Sequence, residues 1–432
     1  MDHLGLDLGT TTISAAVLDA DGRLLCTRTV PGGAAVAGQP WERKQDARGI
    51  EHAALSLLDG LLQEFPDIGC VGLTGQMHGI VYVDAAGQLL SPLYTWQDET
   101  GAQPGPDGKS TAARLTERTG YPLASGYGLV TLACHQAAGT IPNGAAAVCT
   151  IADYLAMRLS GRSAPCLTPS MAASLGLFDG TGFDREAVRR AGLPERLLPE
   201  VSEEAELGGG RLRVFAALGD NQASFLGAGQ GRLDAPLINI GTGSQFSFFT
   251  KEHRTVPGLE TRPFPGGWLL TGAPLCGGRS FALLERFFRQ TAELVTGTPC
   301  PSAYPAMLRA LEAPMPDDVP QFRTTFAGTR QDPAERAVLS GLDEENFAPV
   351  PLLHALLRGM ADELSACYRA ALKAGCAPAG RLLGSGNGLR RNPALQRAVE
   401  RSFGLPLTLA AVPEEAACGA ALFTRMQHEA AL

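Results

Sequence analysis

A chain of 432 residues, 45% hydrophobic and 19% charged, is too long for one core and has ample apolar content to fill two. Its formal charge of −8 argues against nucleic acid or an anionic membrane surface as a partner. No apolar run reaches the ~18 residues that a membrane span needs, no basic stretch followed by an apolar one marks a signal peptide, and the ten cysteines hold no Cys-x-x-Cys pair. A cytoplasmic protein with reduced, mostly buried thiols is expected.

In chain order, residues 3–30 read as three strands, the second and third joined by the tight turn Asp19-Ala-Asp-Gly22. Ile50, Ala54, Leu57, Leu58, Leu61, Leu62 and Phe65 form one apolar face of a helix over 46–65. A strand near 68–74 enters the loop Thr74-Gly-Gln-Met-His-Gly79, and another strand covers 80–84. Residues 98–112, rich in Gly and Pro, read as loop. A strand and a helix fill 143–160, and a short helix lies within 183–200. The second half restarts after Gly231 with strands near 236–249 and a Gly/Pro turn at 263–267. A helix opens at Cys276-Gly-Gly-Arg-Ser280 and runs through Phe288, and the longest helical pattern covers 351–374. Arg381-Leu-Leu-Gly-Ser-Gly-Asn-Gly388 reads as a strand and a glycine-rich loop, followed by helices over 392–403 and 414–427. Strands alternate with helices in both halves, which defines an α/β protein.

Two stretches are copies of one unit. Each of Leu4-Gly-Leu-Asp-Leu-Gly-Thr-Thr-Thr12 and Leu237-Ile-Asn-Ile-Gly-Thr-Gly-Ser244 is an apolar strand running into a Gly-Thr turn. Asp7 aligns with Asn239 about half a chain away, so the repeat marks two related domains rather than a solenoid. Glycine lets backbone approach an anion, and Thr or Ser hydroxyls with backbone N–H groups donate to phosphate oxygens. Between the turns stands Ala217-Leu-Gly-Asp-Asn-Gln-Ala223. A carboxylate so placed, Asp220, suits a general base for a hydroxyl attacking a terminal phosphate. The alternative is a helix N-cap, because Asn221 begins a helix-like run. Asp7 ends an apolar strand, where an unpaired carboxylate is costly and a cation is the better partner.

The order of Asp-Leu-Gly-Thr-Thr, Gly-Gln-Met-His-Gly, Thr-Trp-Gln-Asp, Gly-Asp-Asn-Gln-Ala, Gly-Thr-Gly and a late Gly-Ser-Gly resembles the FGGY carbohydrate kinases over essentially the whole chain. The resemblance implies two ribonuclease-H-like domains of the actin-like ATPase fold flanking a nucleotide cleft. Residues 1–230 would carry the sugar site, the first phosphate turn and the base, and 231–432 the second turn and the adenosine site. It implies ATP and Mg2+ as cofactors, a small-molecule ketose as the partner, and a monomer or homodimer. Asp220 matches the family's base and Asp7 the acid that positions magnesium through water. Thr10, Thr11 and Thr12 match the first phosphate turn, Thr242 and Gly243 the second, and Gly277 and Gly278 a glycine step beside the nucleotide. Gly384, Gly386, Asn387 and Asn392 match the adenosine loop and its helix. Gln76, Met77 and His78 match the sugar-reading loop, with Trp96, Asp98 and Asn221 as pocket neighbours.

Within the family, Gly75-Gln-Met-His-Gly79 is similar to the ketose kinases. Tyr94-Thr-Trp-Gln-Asp98, Ala124-Ser-Gly-Tyr-Gly128 and Leu383–Asn392 are most similar to those acting on sedoheptulose, with xylulose as the alternative acceptor. Cys134-His-Gln136, Gly328-Thr-Arg330 and Asn221 depart from the family pattern. A catalytically silent sugar sensor, and an actin-like or chaperone-type ATPase without a sugar, are the readings from other classes. Intact Asp7 and Asp220 oppose the first, and the Gln76–His78 loop opposes the second.

Overall fold

The computed structural model describes every residue except Arg330, Gln331, Pro333 and Leu432. The chain forms two compact α/β units.

The first unit starts with three antiparallel strands, β1 (Asp2–Leu8), β2 (Thr12–Leu18) and β3 (Leu24–Pro31). Helix α1 (Ala47–Glu64) follows, opened by Asp46, whose side chain accepts from the Arg48 N–H. Its Ile50, Ala54, Leu58 and Leu61 are buried in the core. Strand β4 (Ile68–Gly75) runs parallel to β1, and β5 (Arg213–Phe215) and β6 (Leu218–Gly219) run parallel to β4. With Glu206–Gly208 at one edge, the order is Glu206–Gly208, β5, β4, β1, β2, β3, with β6 also paired to β4. Helix α2 (Asp220–Ala228) continues directly from β6.

Residues between β4 and β5 form a largely helical insertion. The loop expected over 98–112 holds a 3₁₀ turn at Thr100–Ala102 and ends at a helix, Thr111–Thr119, capped by Ser110. The helix Gly128–Ala138 had no sequence signal. Gly128 through Leu132 are consecutively buried, so it carries no apolar stripe for periodicity to find.

The second unit repeats the plan. Strands β7 (Leu237–Ile240), β8 (Ser244–Thr250), β9 (Glu260–Phe264) and β10 (Gly267–Gly272) pair antiparallel as β7–β8, β8–β10 and β9–β10. Helices α3 (Gly278–Thr296) and α4 (Pro349–Lys373) follow. Strand β11 (Leu382–Ser385) lies parallel to β7, followed by α5 (Asn387–Arg390), α6 (Pro393–Phe403) and β12 (Leu407–Leu409), which lies parallel to β11. Helix α3 outruns its expected end at Phe288. Its last turns expose Leu294 and Val295, so no buried stripe signals them.

The final helix, α7 (Glu415–Ala431), departs from the division at 230/231. Residues Val412–Leu432 group with Met1–Gly231, and the second unit is Arg232–Ala411. The reason is backbone-to-backbone packing. A Cβ on Gly5 would stand 1.9 Å from the Ala417 carbonyl oxygen, and one on Gly72 2.3 Å from that of Ala420. A Cβ on Gly227 would stand 1.9 Å from the Glu415 carbonyl oxygen, and one on Gly419 1.8 Å from that of Ala223. Helix α7 therefore rests on β1, β4 and α2 at distances only glycine permits.

Gly419→Ala should cost about 1–3 kcal/mol or more by overpacking. Gly60→Ala, in the interior of α1 with nothing within 4 Å of the new methyl, should gain about 0.5–1 kcal/mol. Denaturant midpoints of the two variants check this pair, and equal midpoints would contradict the packing account.

Candidate active site

Parallel register builds the site of the first unit. Asp7 pairs with Thr74 and Leu8 with Gly75; Leu218 pairs with Thr74 and Gly219 with Gly75. Three strands end in step. What leaves them is the Gly9–Thr11 turn, the Gln76–Gly79 loop and Asp220. Ligands of open α/β sheets collect at this carboxyl edge.

Asp7 is half-buried, but its Oδ1 is enclosed and accepts no hydrogen bond among the described residues. Burial, then the Asp220 carboxylate, then Glu414 push the Asp7 pKa up to about 7. Carboxylates crowded in low dielectric gain from a cation. Hard divalent ions take oxygen ligands, so the enclosed Asp7 oxygen is a donor that would fit such an ion.

Asp220 is the first residue of α2, and Gly219 is the cap. A carboxylate in the first helical turn is favoured by the helix dipole. A Cβ on Gly219 would meet Gln222 Oε1 at 2.4 Å and Met77 Sδ at 2.9 Å. Met77 thus lies against the start of α2. Asn221, in the same turn, is buried.

The Gly75–Gly79 loop is held tightly. The Gln76 N–H donates to the Leu8 carbonyl (3.0 Å), and Gln76 Nε2 donates to Gln45 Oε1 (3.0 Å). His78 adopts φ 73°, rare for a side-chain-bearing residue. Its N–H donates to Ser174 Oγ (3.1 Å), and its Nδ1 lies 2.6 Å from the Ser174 carbonyl. A carbonyl only accepts, so Nδ1 carries a proton. The ring stacks on Tyr127 at 4.6 Å.

Thr10 belongs to the first turn, where Thr11 and Thr12 are exposed. The indole N–H of half-exposed Trp96 donates to Thr10 Oγ1 (3.1 Å). Asp98 is buried, and its two oxygens accept from the Arg43 and Thr100 N–H groups, both at 3.0 Å. It anchors the loops around the pocket. His135, at one departure from the family pattern, is a packing residue 2.9 Å from the Tyr82 hydroxyl.

In the second unit the Gly241–Gly243 turn sits on the start of α3. The Gly278 and Arg279 N–H groups donate to the carbonyls of Gly241 (2.8 Å) and Thr242 (3.0 Å). A Cβ on Gly277, at φ 139°, would stand 2.5 Å from the Gly243 carbonyl carbon. Gly277 and Gly278 therefore brace the turn that carries Thr242. Asn239 pairs with Ser385, as Asp7 does with Thr74. Gly386, at φ 87°, brings its loop against the Ile240 carbonyl at the root of α5, which Asn387 begins. Gly384 packs under Leu389, Leu407 and Leu409, and Asn392 caps α6 by accepting from the Leu395 N–H (3.1 Å). Arg330 lies outside the described residues.

Sequence reasoning missed Gln45, Ser174 and Glu414, whose roles come from distant partners. Tyr127 lay inside the quoted Ala124–Gly128 stretch.

The chain belongs to the FGGY family of carbohydrate kinases. The family's N-terminal domain matches residues 3–230 and its C-terminal domain residues 237–428. It is a sugar kinase of that type, a class that uses ATP with a divalent metal ion on a small-molecule sugar. It is 29% identical to the sedoheptulokinase of Mus musculus over 97% of this chain and 96% of the relative. It is 25% identical to a xylulose kinase of Streptomyces coelicolor over 97% and 86%. A kinase structure from Brucella ovis, named for xylulose under a variant spelling, has the same two-domain α/β fold, with TM-score 0.82 and 22% identity over 100% of this chain and 91% of that one. All ten cysteines are free thiols. Among the described residues no helix is long and apolar enough to cross a membrane.

An acid whose folded pKa is raised stabilises the fold at low pH and loses that contribution as pH climbs through the folded value. With a chelator present, Asp7→Asn should therefore melt above the parent protein at pH 8, with the gap narrowing steadily as the pH falls from about 7 toward the ordinary carboxylate value of 3.8. Thermal melts across that range check it. A gap that widens toward acid would contradict the assigned environment.

Proposed function

We propose that this kinase transfers the terminal phosphoryl group of ATP, with Mg2+, to the terminal primary hydroxyl of a ketose, and that the ketose is sedoheptulose, giving the 7-phosphate. The observation that carries the reading is the common end of β1, β4 and β6. There the Gln76–His78 loop, Asp7 and Asp220 leave adjacent strands.

Asp220 takes the proton of the attacking hydroxyl as the bond to phosphorus forms. His78 reads a sugar hydroxyl, and half-exposed Trp96 covers sugar C–H groups. Magnesium supplies charge neutralisation when bound, and Asp7 orients its water shell. Thr10, Thr11, Thr12, Thr242 and Gly243 donate to phosphate oxygens, and Gly386 and Asn387 border the adenosine. Gly277, Gly278, Gly384, Asn392 and Asp98 serve the site by holding these elements in place. The near full-length likeness to sedoheptulokinases favours the seven-carbon sugar. The likeness to xylulose kinases makes xylulose the second reading. Free thiols on every cysteine fit a reducing cytoplasm.

Sugar-dependent ADP release over a panel of ketoses and polyols tests the assignment. Sedoheptulose should give the highest kcat/KM. A preference for xylulose would select the second reading, and ADP release independent of any sugar would overturn both. Asp220→Asn should lower kcat by roughly two to four orders of magnitude, the range of a lost general base, with both ligands still bound. A folded variant with near-normal turnover would remove Asp220 from the mechanism.

A further inference from the structure

Thr10 is gripped twice within the first unit. Gln45 Nε2 donates to the Thr10 carbonyl (2.7 Å) and to the Gly33 carbonyl (3.2 Å). Trp96 Nε1 donates to the Thr10 hydroxyl oxygen (3.1 Å). Donor and acceptor roles in this network follow from chemistry alone. Carbonyl oxygens only accept, so the Gln45 amide nitrogen faces Thr10 and Gly33. Gln45 Oε1 then faces Gln76, whose amide nitrogen must donate to it (3.0 Å). An indole N–H only donates, so Thr10 Oγ1 is the acceptor and its hydrogen points elsewhere. Residues of the expected sugar pocket, Trp96 directly and Gln76 through Gln45, therefore hold a residue of the expected phosphate turn. Trp96 is 47% exposed, and this hydrogen bond fixes its indole edge.

We infer that Trp96 is a positioning residue for the phosphate turn. Its N–H holds the Thr10 hydroxyl as a donor toward a phosphate oxygen, and a sugar lying on its exposed face favours that arrangement. The inference rests on the proposed function for the identity of the sugar, but not for the Trp96–Thr10 link. Coupling of this kind is reciprocal: whatever the sugar does to nucleotide affinity, the nucleotide does to sugar affinity.

The test is calorimetric titration of a non-hydrolysable ATP analogue, without sugar and with saturating sedoheptulose, into the parent protein, Trp96→Phe, Thr10→Val, Thr10→Ser and the Trp96→Phe/Thr10→Val double variant. Without sugar, Trp96→Phe and Thr10→Val should each weaken analogue binding by roughly 3- to 10-fold, the size of one lost hydrogen bond, and the double variant no further. Thr10→Ser, which keeps the hydroxyl, should bind as the parent does. With sugar, the parent should bind the analogue at least about 5-fold more tightly, the lower end of typical coupling. Trp96→Phe should lose most of that gain while its own sugar Kd stays within about 3-fold, because Phe retains an aromatic face. Additive losses in the double variant, or parent-like analogue binding by Trp96→Phe, would overturn the inference. So would loss of sugar affinity by Trp96→Phe with coupling intact, which makes Trp96 a sugar platform only. If sedoheptulose fails to bind the parent while the sugar-free pattern holds, the choice of sugar falls and the Trp96–Thr10 link stands.

Discussion

Helix α7 lies directly on β1, β4 and α2 because four contact positions, Gly5, Gly72, Gly227 and Gly419, have no side chain. This close approach locks together the strand that carries Asp7, the strand that leads to the Gln76–His78 loop, and the helix that begins with Asp220. Catalysis by positioning tolerates little slack. Glu414 stands just before α7 and adds its charge to the field at Asp7. The last residues of the chain thus serve a site whose other parts lie at its beginning and middle.

The electrostatics of that site are unfavourable until something cationic arrives. Asp7 is partly enclosed, leaves one oxygen without a partner among the described residues, and feels two further carboxylates. Such strain is characteristic of sites shaped for a ligand rather than for stability. The second unit repeats the geometry without the charge. Asn239 replaces Asp7 and Ser385 replaces Thr74 at the same register positions. Of the two copies, one carries the acids Asp7 and Asp220, and the other presents a neutral turn and glycine loop.

Several residues that the family resemblance marks as ligand contacts also hold the architecture. Asp98 uses both oxygens on backbone N–H groups, and Asn392 caps α6. Gly277 and Gly278 carry the turn above them. Each supports a neighbour, so a substitution there would also act through misplaced neighbours.

Local features were legible in the sequence. The Gly-Thr turns, the strand order at the start of each half, the apolar face of α1 and the glycine loop after β11 all declare themselves within a dozen residues. Turn chemistry and periodicity are local properties of the backbone. The repeat of Asp7 in Asn239 already implied two related units. Tertiary structure alone decided that α7 belongs to the first unit. It also decided that Gly219, not Asp220, caps α2, that both Asp98 oxygens accept from backbone N–H groups, and that Trp96 and Gln45 hold Thr10. Those outcomes depend on which N–H meets which oxygen between segments up to several hundred residues apart, and on contacts that exist only where a side chain is missing. No spacing along the chain encodes such a meeting, because the close packing that creates it forms only when the whole unit has folded.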